Sequence, residues 1–120
     1  ISWKNFKSYP LPIQNPFPVV MGGVKGKIFK RTAQLGNGWF APTGDPGELK
    51  EHMTNLREEC DAIGRDLSEI EITCMWPGTG GEEFLGELEA VGVGRVVIPM
   101  MGQGDPVERL TTIAEEVIKP

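Results

Sequence analysis

Two segments of the chain, Asp45-Pro46-Gly47-Glu48 and Asp105-Pro106-Val107-Glu108, share the form D-P-x-E, and each opens an apolar period of helical spacing. The Asp accepts from first-turn N–H groups, Pro fits the first helical position, and the Glu makes the pattern of a capping box. After the first start, Leu49, Met53, Leu56, Cys60 and Ile63 recur at intervals of four, three, four and three, a buried stripe with the charges mostly elsewhere. After the second, Val107, Leu110, Ile113, Ala114, Val117 and Ile118 form a like stripe. Two such starts in one chain imply repeated βα units.

The segments between them fit that reading. Short apolar runs at Phe17–Met21, Trp39–Ala41, Ile70–Trp76 and Arg95–Met101 read as strands, and in the third Ile70, Ile72 and Cys74 alternate against Glu71, Thr73 and Met75. A helix near Lys25–Leu35 presents Ile28, Phe29, Thr32, Ala33 and Leu35, and Gly36-Asn37-Gly38 stops it. The D45 helix runs to about Ile63, where Gly64 supplies a left-handed end. A third helix, Glu82 to about Val91, carries Phe84, Leu85, Leu88 and Val91 and ends at Gly92. Parallel strands need crossover connections, so four βα units imply an α/β fold with a parallel sheet covered by helices. Spacing alone leaves open whether the sheet is flat or curved.

With 120 residues the chain is one domain by length, and 39% hydrophobic with 24% charged residues is an ordinary globular composition. Residues 1–15, with Pro10 and Pro12 and no sustained period, read as an extended lead-in to a domain of residues 16–120. A net charge of −5 argues against a general nucleic-acid binder, which needs a basic stripe. No apolar run approaches the ~20 residues that span a bilayer, and no secretory leader pattern opens the sequence, so a cytoplasmic location and no membrane partner are expected. Cys60 and Cys74 sit inside apolar periods and read as buried thiols. His52 is the only histidine, which excludes a multi-histidine metal site within one chain and points to a structural role.

The run most suggestive of chemistry is Pro16-Phe17-Pro18-Val19-Val20-Met21-Gly22-Gly23, a strand ending in a glycine pair where a helix begins. Glycine lets the backbone approach a ligand closely, and a helix start presents unpaired N–H groups with partial positive charge, so the junction suits a phosphate. A glycine pair is equally a plain turn.

Taken together, several pieces resemble the luciferase-like flavin or deazaflavin oxidoreductases. They are the proline-rich lead-in Pro10 to Pro18, then Val20-Met21-Gly22-Gly23, then Lys30-Arg31-Thr32-Ala33-Gln34-Leu35-Gly36-Asn37-Gly38-Trp39-Phe40, then Ala62-Ile63-Gly64-Arg65-Asp66. The closing Gly92-Val93-Gly94-Arg95-Val96-Val97 is similar to the family's last strand. The resemblance implies a (β/α)8 barrel of which this chain supplies four consecutive units, similar to the C-terminal half. It departs from the family pattern at Val24-Lys25-Gly26-Lys27, where relatives carry a small hydroxyl or amide residue, and at Asn37, where an acid is common.

The resemblance further implies FMN or a deazaflavin coenzyme (F-420), whose ring carries the hydride transfer or oxygen activation. Cofactor contacts are then expected from Gly22 and Gly23, with Lys25 or Lys27 near a phosphate, and from Trp76 at another strand end. No cofactor is needed for folding, and the catalytic residues are unassigned, because much of the ring pocket resembles one built by the other half. The chain alone is expected to be inactive. The rival readings are a non-catalytic, self-associating half-barrel and a phosphate-binding α/β module. A half-barrel leaves two strand edges and an apolar concave face open, so a homodimer is expected: either β edges pair across two copies, or concave faces meet over Val19, Val20, Ile98 or Met100.

Overall fold

The computed structural model describes Lys4, Lys7, residues 9–99 and residues 104–117. Among these, strands and helices alternate as β1 Val20–Gly22, α1 Ile28–Leu35, β2 Gly38–Phe40, α2 Pro46–Asp61, β3 Glu71–Met75, α3 Gly81–Ala90, β4 Arg95–Val97 and α4 Pro106–Val117. A 3-10 turn, Leu67–Glu69, precedes β3. All pairings are parallel, and the sheet order is β1-β2-β3-β4. Every crossover therefore steps to the adjacent strand without reversing, which puts the helices on one face and winds the sheet as a segment of a (β/α)8 barrel.

Side-chain burial follows that winding. Residues in register share a face, so Met21, Trp39 and Ile72 stand together on the helix side, as do Cys74 and Val96. Trp39, Ile72 and Cys74 are buried there with Ala41, Leu49, Leu56, Cys60 and Leu88 in one core cluster. A fully buried leucine such as Leu49 or Leu56 contributes about 1.5–3 kcal/mol. Val20, Met75 and Val97 lie on the other, concave face and remain 54%, 42% and 39% exposed. The alternation expected in the third strand holds, with Ile72 and Cys74 toward the helices.

The elements are shorter than their sequence patterns suggested. β1 starts at Val20 rather than Phe17, since Pro16 and Pro18 have no N–H to give a ladder, and Phe17 is exposed. Trp76 follows β3 rather than ending it, and Met100 and Met101 lie outside the described residues, as does Ile118. α1 starts at Ile28, three residues late, because Gly26 at φ 67° interrupts the helical path. Leu35 is 66% exposed: two positions on from Ala33, it lies about 200° round the helix from the buried side. Ile63 is half exposed because α2 ends at Asp61 and the helical period no longer directs it.

Both D-P starts cap their helices. Asp45 Oδ1 accepts from the Glu48 N–H at 2.8 Å, and the Asp45 N–H donates to Thr43 Oγ1, so Thr43 takes the reciprocal bond expected of Glu48. Asp105 Oδ1 accepts from the Val107 N–H at 2.8 Å. Cys60 and Cys74 are free, buried thiols. Among the described residues no helix is long and apolar enough to cross a membrane.

Candidate functional site

Active sites of barrels of this kind gather at the C-terminal ends of the strands. At that end of β1 the chain crosses Gly23-Val24-Lys25-Gly26-Lys27 to reach α1, with Gly23 at φ 101° and Gly26 at φ 67°. Both values lie in the region that side chains rarely adopt. A Cβ built on Gly23 or Gly26 meets nothing within 4 Å, so open space adjoins the loop. Gly22, the last residue of β1, is exposed and has only the Phe40 carbonyl oxygen, at 3.9 Å from a built Cβ, close to it.

One bond fixes the loop from behind. Trp39 Nε1–H donates to the Gly23 carbonyl oxygen at 2.9 Å. The indole is fully buried, with the Phe29 ring edge-on at 5.5 Å and the His52 ring at 5.9 Å. His52 is thus a packing residue of this aromatic group. Among the described residues no hydrogen bond uses the N–H groups of Gly23, Val24, Lys25 or Gly26. Lys25 is exposed, and Lys27, also exposed, stands at the N-cap position of α1 with no side-chain capping bond. The first turn of α1 carries no acidic residue. Unpaired amides, a helix start and two cations are groups of the kind that attract an anion.

The other expected contact, Trp76, is placed differently. It is 2% exposed, its backbone N–H donates to the Val97 carbonyl, and its Nε1–H donates to the Thr79 carbonyl at 2.9 Å. It packs under the loop after β3 and holds that loop's path. On the concave face Glu71 pairs with Arg95 at 2.9 Å. Among the described residues no cluster of His, Cys, Asp and Glu is arranged to hold a metal ion.

A cavity of about 680 Å³ opens at the opposite, N-terminal ends of the strands, where Asn37, Arg57, Asp66, Glu69 and Gly94 line it. Its polar groups are engaged structurally. Asp66 accepts from the Ser68 N–H at 2.8 Å, which caps the 3-10 turn and holds its carboxyl below the ordinary value. Asn37 Oδ1 accepts from the Val19 N–H at 2.9 Å while its own N–H donates to the Val19 carbonyl. An acceptor is all this clip requires, and the Asn37 side-chain oxygen supplies it. Arg65 Nη1 donates to the Ala33 carbonyl at 2.8 Å and the Thr32 carbonyl at 3.3 Å, closing the C-terminus of α1.

Sequence reasoning missed the tie from Trp39 to Gly23. The available signal was the Gly-Asn-Gly-Trp run, although an indole's partner cannot be read from spacing.

Comparison with known proteins gives a model of the luciferase-like monooxygenases matching residues 1–77. No curated protein matches the chain. Among solved structures, the coenzyme F420 dependent tetrahydromethanopterin reductase from Methanopyrus kandleri superposes with a TM-score of 0.68 at 15% identity, over 87% of this chain and 51% of its own. DmoA from Hyphomicrobium sulfonivorans superposes at 0.42 with 19% identity, over 92% of this chain and 30% of its own. The chain thus spans about half the length of the reductase it matches.

Proposed function

The chain belongs to the luciferase-like monooxygenase family, and from that premise we propose that its β1–α1 loop holds the phosphate of FMN or a deazaflavin in a flavin-type oxidoreductase. The carrying observation is the Gly23–Gly26 segment. Its amides are unpaired, the space before it is open, and the buried Trp39 indole secures the Gly23 carbonyl from behind. These features fit a phosphate group. The name of the similar reductase, which includes a deazaflavin coenzyme, supports the choice of cofactor class.

When bound, the ring supplies the redox chemistry, hydride exchange with substrate for either cofactor or oxygen activation for a flavin. The residues of this chain bind and orient. Backbone N–H groups of Gly23 to Gly26 donate to the phosphate oxygens, Lys25 and Lys27 add charge at the rim, and Gly22 leaves the concave side uncrowded. Trp76 acts from behind by holding the Pro77–Gly80 loop. None of these groups is an acid or base poised to move a proton, so the ring pocket requires residues beyond these four βα units and the chain alone does not turn over.

Titration of the purified chain with FMN and with the deazaflavin, followed by cofactor fluorescence, tests this. Saturable quenching relieved by inorganic phosphate is expected. No response to either cofactor leaves a half-barrel without a flavin site, and binding of phosphorylated ligands generally, without preference for a flavin, supports the phosphate-binding module instead.

A further inference from the structure

Three rings from three different elements meet behind the β1–α1 loop. Phe29 is the second residue of α1, Trp39 lies in β2 and His52 lies in α2. The centroids are 5.5 Å apart for Phe29 and Trp39, 5.8 Å for Phe29 and His52, and 5.9 Å for Trp39 and His52. Trp39 meets both neighbours edge to face, at 63° and 81°, while Phe29 and His52 are tilted by 33°. Such spacings and angles are those that aromatic pairs prefer.

The loop in front of these rings has few other fixings. Gly23 and Gly26 have positive φ, Lys27 carries no side-chain capping bond, and among the described residues the amides of Gly23 to Gly26 are unbonded. Its two ends are set by ring-bearing residues. On the β1 side the Trp39 indole N–H holds the Gly23 carbonyl, and on the α1 side Phe29 follows Lys27 by two residues. Both rings contact His52. The helix that carries His52 is firmly placed, capped by Asp45 and anchored in the core through Leu49, Met53, Leu56 and Cys60.

Among the described residues His52 makes no hydrogen bond or ion pair, so its ring is what it contributes. We propose that His52 is a positioning residue for the loop: its ring, held on α2, sets the Trp39 indole and Phe29, and through them the Gly23 carbonyl and the start of α1. This deepens, and rests on, the reading of the loop as a phosphate site. A flat ring is the specific requirement, because it can face Phe29 and meet the indole edge-on at once, which a branched aliphatic side chain cannot.

Two variants at this half-buried position test the proposal. His52→Leu keeps apolar bulk and removes the ring, and His52→Phe keeps a ring and removes the nitrogens. Indole N–H exchange by NMR and calorimetric titration with inorganic phosphate and with FMN are measured on the parent chain and both variants, with folding checked by circular dichroism. The Trp76 indole, bonded to the Thr79 carbonyl, is the internal reference. In His52→Leu the Trp39 indole N–H is expected to exchange about tenfold faster, with Trp76 unchanged, because the opening is local. Affinity for both ligands falls with it, and His52→Phe restores exchange and affinity together. Unchanged Trp39 exchange in folded His52→Leu overturns the proposal. Equal acceleration at both indoles, which marks general loosening, overturns it too, as does faster exchange with undiminished affinity. A parent chain that binds neither phosphate nor FMN contradicts the phosphate reading instead, and the exchange comparison alone then decides whether His52 positions Trp39.

Discussion

The Trp39 indole N–H reaches across from β2 to the Gly23 carbonyl just past β1, so the loop with the unpaired amides is held by a fully buried side chain. Replacing Trp39 with Phe keeps an aromatic ring and removes the donor. Stability is expected to fall by about 1–3 kcal/mol from the orphaned acceptor and lost volume. Phosphate affinity falls with it. Urea unfolding and calorimetric titration of the same variant measure the two losses.

The glycine pair divides into a residue that needs its conformation and one that needs only space. Gly23→Val forces a β-branched residue to φ 101° and fills the front of the loop. The strain costs about 1–3 kcal/mol, and binding weakens by more than stability does. Gly22→Ala adds a methyl 3.9 Å from the Phe40 oxygen, an ordinary contact, at a residue outside the left-handed region. Its stability is expected to hold or rise by about 0.4–1 kcal/mol. Thermal melts of the two variants, compared with their calorimetric titrations, separate a binding loop from a mere turn: unchanged affinity in folded Gly23→Val makes it a turn.

Arg65 contributes to the fold. Its guanidinium, 18% exposed, closes the end of α1 through the Ala33 and Thr32 carbonyls, while its partner Glu69 is largely exposed. Arg65→Met is expected to lose about 1.5–3 kcal/mol through the carbonyl bonds. Glu69→Ala is expected to lose less than about 1 kcal/mol, as surface ion pairs do. Denaturant midpoints rank the two, and an equal loss contradicts the assignment.

Much of this architecture was legible in the residues because it is written in local chemistry. Asp45 and Asp105 before Pro mark helix starts in any context, and the four-three spacing of Leu49, Met53, Leu56 and Cys60 specifies a face. Leu35 and Ile63 misled because they sit where a helix turns away from the sheet or has ended, and periodicity carries no boundary. The curvature of the sheet was illegible from spacing, since strand order is a long-range property. The glycine pair announced the loop, but the freedom of its amides depends on Trp39, sixteen residues away. At Trp76 the sequence offered both packing and a pocket contact, and the fold shows its indole N–H spent on the Thr79 carbonyl.

Burial pushes the thiols of Cys74 and Cys60 above their ordinary values, with Arg65 partly opposing the effect at Cys60. The unfolded thiols ionise near about pH 8.5, and the folded ones hold their protons to higher pH. Unfolding therefore releases protons in that window, so the thiol contribution is full below the unfolded value and declines as pH rises toward the folded one. Urea midpoints are expected to drop from about pH 8.5 upward, and a Cys60→Ala, Cys74→Ala variant flattens the drop. At neutral pH, a thiol reagent reacts only as fast as the chain opens.

Amide NMR titration of the isotope-labelled chain with FMN tests the central claim most directly, since the loop after β1 and the large groove at the other end of the strands report separately. The account predicts progressive shifts at Gly22, Gly23, Val24, Lys25 and Gly26, reproduced in part by inorganic phosphate, with Asn37, Ser68 and Gly94 unmoved. Shifts confined to Asn37, Ser68 and Gly94, or none at the glycine pair at saturating cofactor, contradict it.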